Sequence, residues 1–218
     1  MIIFSNDVDI LRYEPILFGE LYLQGQVLAA GTGGELEGTT FTVSDADFVN
    51  SRVYAGGVVY FSSADGLLDG AFEIVSVDST TEFTVSVLRA NSDEPAVAPP
   101  TASDISYRIS TFRPQAAESG LELAEYFGIV PGSLLSDLDI ENILDTETLR
   151  RASVFAVISA VYAMLGSKAQ NDNFWKKSLH YRRLFEKARE RCRFSIDSSG
   201  DGAADITKVG GVGRLVRD

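Results

Sequence analysis

The chain changes its hydrophobic period twice. Over residues 26–113, apolar and polar positions alternate in short runs such as "TTFTVSDADFV", "GVVYFSS" and "AFEIVSVDSTTEFTVSVLR". In "EFTVSVL", Phe83, Val85 and Val87 fall on one face and Thr84, Ser86 and Leu88 on the other, the period of a half-buried strand. Turn signals ("GTGG", "AGG", "ADG", "DST") separate five to seven such strands at 8–15 residue intervals. That spacing suits a small antiparallel barrel or sandwich. The segment "NSDEPAVAPPTASD" holds three of the six prolines and reads as a surface loop.

From Pro114 onward the period becomes helical. "PQAAESGLELAEYFGI" opens on a proline suited to a first helical turn and stops at Gly128. A long helix is expected from about Thr146 to Leu165, apolar nearly all round its second half and therefore central. "NDNFWKKSLHYRRLFEKARERCRF" begins with capping residues and carries Phe174, Tyr181, Phe185, Ala188 and Cys192 on one face. The first 25 residues read as an extended start and then a short helix from about Glu14, with Pro15 in its first turn and Gly25 at its end.

These periods predict an α+β fold, a small α-helical bundle with an inserted antiparallel β-barrel or sandwich domain and an extended C-terminal arm. Residues 1–25 are assigned to the helical core, 26–113 to the inserted β-domain, 114–196 to the bundle core, and 197–218 to a turn and arm. Insertion is tolerated where the ends of the insert lie close together, as in antiparallel β modules.

Charge adds a division. Residues 1–145 hold 5 Lys/Arg against 23 Asp/Glu, whereas residues 146–218 hold 14 against 8. Either the two regions have different solvated faces, or acidic and basic surfaces meet between copies and fix their orientation. The start "MIIFSNDVDILRYEP" lacks a basic leader, and the longest apolar run, "ASVFAVISAVYAMLG", is shorter than the roughly 20 residues of a spanning helix. A buried helix and a cytoplasmic origin without a membrane are expected.

The sequence offers little catalytic chemistry. One cysteine, Cys192, excludes an internal disulfide framework, and one histidine, His180, leaves few routes to a zinc or histidine-based centre. "GTGGELEG" lacks the lysine of a phosphate-binding loop, and "GGVG" follows no strand and opens no helix. The carboxylate pairs Asp45/Asp47 and Asp137/Asp139 read as solvated turns. No enzymatic activity is expected.

Two features near the C-terminus carry more. In "DSSGDGAAD", oxygen donors at Asp197, Ser199, Asp201 and Asp205, with Gly202 at the sharp turn, follow the spacing of a calcium loop. Lys208 stands where a bidentate acid normally closes such a loop. The stretch is therefore either a weak calcium site or a metal-free turn that stops the preceding helix; no other cofactor is expected. Beyond it, Ile206, Val209, Val212, Leu215 and Val216 alternate with glycines and with Lys208, Arg214 and Arg217. Glycines at 210, 211 and 213 disfavour a free-standing helix. The stretch is either a frayed terminus or an arm whose Lys208, Val209, Val212, Arg214, Leu215, Val216 and Arg217 bind a partner.

Four stretches resemble the head–tail adaptor (connector, head-completion) proteins of tailed bacteriophages. They are "NDVDILRYEPILFGE", "DADFVNSRVYAGGVVYF" leading to "FEIVSVDSTTEFTVSVLR", "FRP", and "LHYRRLFEKARERCRFSIDSSGDGAADITK" with "GRLVRD". The resemblance implies a structural virion protein made in the host cytoplasm and placed in the phage neck. It implies a homo-oligomeric ring, commonly of twelve copies, bound to the portal protein above and to tail or neck proteins below. DNA would pass through without sequence-specific binding, and a terminal segment would embrace a neighbour or the portal. The acidic excess suits such a channel, because phosphate binding grows with each cationic contact. Another tail-completion or baseplate protein, or a calcium- or carbohydrate-binding module, is the alternative.

Overall fold

The computed structural model describes residues 2–130, 138, 140–169 and 172–211, apart from the side chains of 168 and 169. It divides into two compact units, one of Asn6–Phe112 and one of Met1–Ser5 with Arg113–Asp218. Helix and strand are mixed, as the α+β expectation requires.

The first unit opens with α1 (Asp7–Leu11) and 3-10 turns at Pro15–Leu17 and Gln24–Gln26. Six strands follow: β1 (Val27–Glu37), β2 (Thr40–Thr42), β3 (Val58–Ser63), β4 (Asp69–Val77), β5 (Glu82–Ser86) and β6 (Ala102–Ser110). They pair antiparallel in the closed order β1-β2-β5-β4-β3-β6. Closure joins the strands that would otherwise be left as sheet edges.

Aromatic side chains fill the barrel. The Phe41 ring lies 4.6 Å from Phe61, 4.9 Å from Phe83 and 5.4 Å from Tyr107, and Phe48 packs edge-on against Phe83 at 4.7 Å. The "GTGG" run makes room for them, since a Cβ on Gly34 would sit 2.4 Å from the Phe41 ring. Phe83 and Val85 point inward, as the alternation predicts.

The expected place of residues 1–25 needs correction. Residues 2–5 do belong to the helical unit, where Ser5 Oγ lies 2.8 Å from Ser153 Oγ. Residues 6–25 belong to the barrel unit instead. Buried polar contacts fix them there. Asp7 accepts the Phe112 N–H at 2.8 Å and the Tyr54 hydroxyl. Arg108 donates to the Phe18 and Gly19 carbonyls at 3.0 and 2.5 Å, with its guanidinium 3.6 Å from the centre of the Tyr22 ring. The expected extended start is also helical from Asp7. Asn6 Oδ1 accepts the Asp9 N–H at 2.9 Å and Asp9 Oδ2 returns the bond to the Asn6 N–H at 3.0 Å, a reciprocal cap. Only the 3-10 turn at Pro15–Leu17 forms where a helix was expected from Glu14.

The second unit contains α2 (Arg113–Tyr126), a 3-10 turn (Ile140–Asn142), α3 (Glu147–Ala169), α4 (Asp172–Glu190), β7 (Arg193–Ile196) and β8 (Ile206–Val209). α3 and α4 pack through Phe155, Tyr162 and Tyr181, and the last two rings stack at 6.2 Å. Ser159 Oγ donates to the Ser178 carbonyl at 3.0 Å and Ser178 Oγ to the Ser159 carbonyl at 2.9 Å, so both buried hydroxyls are satisfied. By length and composition α3 could cross a membrane, but 67% of its apolar window is buried within the protein. Val157 and Val161 are fully buried, as expected of the central helix. Ala160 and Met164 are exposed and Ala163 half-buried, because that stripe of α3 faces α2 across an open trough rather than α4.

Candidate functional site

The C-terminal candidates do not all belong to an arm. Asp197, Ser199, Asp201 and Asp205 lie in the loop of a hairpin, with Arg193↔Val209 and Ile196↔Ile206 at the two ends of its ladder. Lys208 and Val209, expected in an extended arm, therefore belong to β8. Phe194 and Ile196 alternate inward from β7, and the Phe194 ring packs edge-on against Phe127 at 4.8 Å. The outer edge of β7 is taken by residues 142–144. The Leu144 N–H donates to the Ser195 carbonyl at 3.0 Å, and the Asp197 N–H to the Asn142 carbonyl at 2.8 Å. Val212, Arg214, Leu215, Val216 and Arg217 lie outside the described residues, as do Asp137 and Asp139.

The hairpin loop is organised by its carboxylates. Asp197 accepts the Gly202 N–H at 2.7 Å and the Gly200 N–H at 2.6 Å, and bonds from Ser199 and Asp201 add to them. The bonds from Gly202, Gly200, Asp201 and Ser199 hold its carboxyl below the usual aspartate range. Asp205 accepts from the Ser198 hydroxyl and from the Ser199 N–H, both at 2.9 Å, which lowers it likewise. Among the described residues, no group of three or more His, Cys, Asp or Glu is placed to hold a metal ion.

Gly210 and Gly211 fix where the chain leaves the hairpin. A Cβ on Gly210 would lie 2.0 Å from the Arg189 carbonyl oxygen, so only glycine fits against the end of α4. The Gly210 N–H donates to the Cys192 carbonyl at 2.8 Å. The Gly211 N–H donates to the Tyr126 hydroxyl at 3.4 Å, and the Arg189 guanidinium lies over the Tyr126 ring at 3.9 Å.

Two concavities flank α4. One, of about 210 Å³, is lined by Arg151, Lys187 and Arg191 with Thr148 and Cys192. The Cys192 sulfur is buried 3.3 Å from the Thr148 and Ala188 carbonyls, and burial pushes the thiol up. That favours the protonated form and argues against a nucleophile. The other is a trough of about 670 Å³ between α2, α3 and α4. Ala156, Ser159, Ala160 and Ala163 line it from α3, and Gln115, Glu118 and Glu122 from α2. Arg182 of α4 pairs with Glu122 at 2.9 Å. Sequence reading missed the trough because a helix that is apolar nearly all round does not show which of its stripes is packed.

The remaining candidates take simple roles. His180 is exposed on α4. Asp47 caps its turn by accepting the Asn50 N–H at 3.0 Å, which lowers its carboxyl. Among the described residues, the barrel unit holds 4 Lys/Arg against 16 Asp/Glu, so most of the acidic excess lies there. Compared with protein-family models, curated proteins and solved structures, the chain matches none.

Proposed function

We propose that the chain is a structural virion protein, a head-to-tail adaptor that forms an oligomeric ring between portal and tail in the phage neck. The observation that carries this reading is the composition of the stretch after the hairpin. A folded hairpin, held to α4 at Gly210, is followed in the sequence by the basic-apolar stretch "VGRLVRD", in which Val212, Leu215 and Val216 alternate with Arg214 and Arg217. Such a segment suits docking on a partner. Burying aliphatic side chains contributes roughly 1.5–3 kcal/mol each before ordering costs, and a ring repeats the contact in every subunit.

The acidic barrel surface supports the same reading, because a wall poor in cations lets duplex DNA slide without counterion-releasing contacts. In this account the three helices form the bundle that carries the ring contacts, the partners are further copies, the portal, and tail or neck proteins, and no catalysis or cofactor is required. Removing the gene from a phage genome tests the proposal. DNA-filled heads and free tails that fail to join are expected; normal tailed particles would overturn it.

A further inference from the structure

The smaller concavity beside α4 gathers charge of one sign. Arg151 lines it from α3, Lys187 from the last turn of α4, and Arg191 from just past the end of α4. Among the described residues, none of these three cations forms an ion pair. Their neighbours do: Arg150 pairs with Glu147, and Arg182 pairs with Glu122 and Glu186. The Arg151 guanidinium lies 5.5 Å from the centre of the Phe155 ring, a contact that positions it without neutralising it.

Helix ends explain part of this arrangement. Lys187 and Arg191 oppose the negative end of α4, where cations are favoured. Arg151 has no such reason, because it lies near the start of α3, the positive end of that helix. It also shares the concavity with two further cations. Lys187 and Arg191 are themselves four residues apart, a spacing at which like charges repel. An anion in the concavity relieves both costs.

Size and charge define the anion. The volume is about 210 Å³, below the roughly 300–1,000 Å³ of sites for drug-sized ligands. It suits a small ion, or the head of a larger molecule, rather than a whole nucleotide. Phe155, Leu184 and Ala188 form an apolar wall, and the Thr148 hydroxyl already donates to the Asp145 carbonyl at 3.2 Å. Polar recognition therefore falls to the three cations. One carboxylate would balance one of them, whereas a phosphate monoester carries about −1.5 to −2 near pH 7 and offers three strong acceptor oxygens. Arginine forks match phosphate oxygens in pairs. We propose that this concavity binds a phosphate group, as the free ion or a monoester, through Arg151, Lys187 and Arg191. The site belongs to the helical unit alone and goes beyond the adaptor reading, which does not require it.

Titration of the full chain with inorganic phosphate at constant ionic strength, followed by NMR, tests it. Saturable shifts of the Arg151 and Arg191 Nε–H signals and of the Cys192 amide are expected. Arg151→Gln and Lys187→Gln, both at exposed positions, should each weaken binding about tenfold or more, and either suffices if the other misfolds. Arg183→Gln, at an exposed arginine of α4 outside the concavity, should leave binding unchanged. Equal weakening by all three variants, or no saturable response to phosphate or phosphoserine, would overturn the assignment. Phosphoserine separates the sources. Tighter binding than inorganic phosphate would identify a phosphorylated chain that also uses the Phe155 wall, and equal or weaker binding the free ion; both support the site. Duplex DNA that shifts the same signals while neither phosphate does would overturn it, because a row of surface cations would then be the binding element. Heads that fail to join tails bear on the adaptor reading and leave this titration unaffected.

Discussion

Arg89 and Glu73 form a buried ion pair on the barrel, with Arg89 Nη2 2.6 Å from Glu73 Oε1 and Nε 3.3 Å from Oε2. The guanidinium also donates to the Ser92 and Glu94 carbonyls at 2.9 and 2.5 Å, which anchors the start of the proline-rich loop. Removing one partner leaves a buried charge unpaired, so Arg89→Ala should cost about 3–5 kcal/mol in urea unfolding. Arg89→Met with Glu73→Leu should recover most of that loss. If the double variant is as unstable as the single one, the loop anchoring rather than the buried charge sets the cost.

Val157 and Ala160 lie three residues apart on α3 and should respond oppositely to charge. Val157 is fully buried, so Val157→Asp should destabilise by several kcal/mol, about 3 or more. Ala160 faces the trough, so Ala160→Asp should change stability by no more than about 0.5 kcal/mol. Comparable losses for the two in denaturant titrations would place Ala160 in the core.

The architecture was legible where elements are long and periodic. Both long helices and the β region fall close to their predicted positions, because alternation and helical spacing directly encode burial. Three features were not. α1 spans five residues, too short to show a period, and its one local signal, the Asn6–Asp9 cap, lay within a dense apolar stretch. β7 and β8 have four residues each, and "ITKV" gave no sign that it pairs with "RFSI". Period alone also could not say which stripe of α3 meets α4. A helix apolar nearly all round offers two such stripes, and Ser159, whose bond to Ser178 marks the packed one, is polar.

The hairpin changes what truncation does. A chain ending at Thr207 loses the pairs Phe194↔Lys208 and Arg193↔Val209 and the Gly210 bond to Cys192, and should lose about 1–3 kcal/mol. A chain ending at Gly211 should lose at most about 1 kcal/mol, because the hairpin is intact. Gly210→Ala should behave like the longer truncation, since its Cβ would overlap the Arg189 carbonyl oxygen. Thermal unfolding of the three variants decides this. Equal melting for the two truncations would contradict a stabilising hairpin.

The loop should titrate at low pH. A carboxyl whose folded pKa is lowered contributes stability that is present above its unfolded value and lost as pH falls through the folded one. Asp197 and Asp205 are both lowered from 3.8, so their amide bonds should persist at pH 3.8 and fail only below it. The Gly202 amide resonance should therefore move with a midpoint below 3.8, and Asp197→Asn should abolish the transition. A midpoint at or above 3.8 would show that these bonds do not hold the loop in solution.

We propose that this chain assembles as a ring on a portal. Native mass spectrometry of the full chain, mixed with the portal protein encoded in the same genome, tests it most directly. One species that carries a fixed, symmetric number of copies per portal is expected, and it should be lost when the chain ends at Gly211. A chain that remains monomeric beside intact portal, at concentrations where virion proteins assemble, would contradict it.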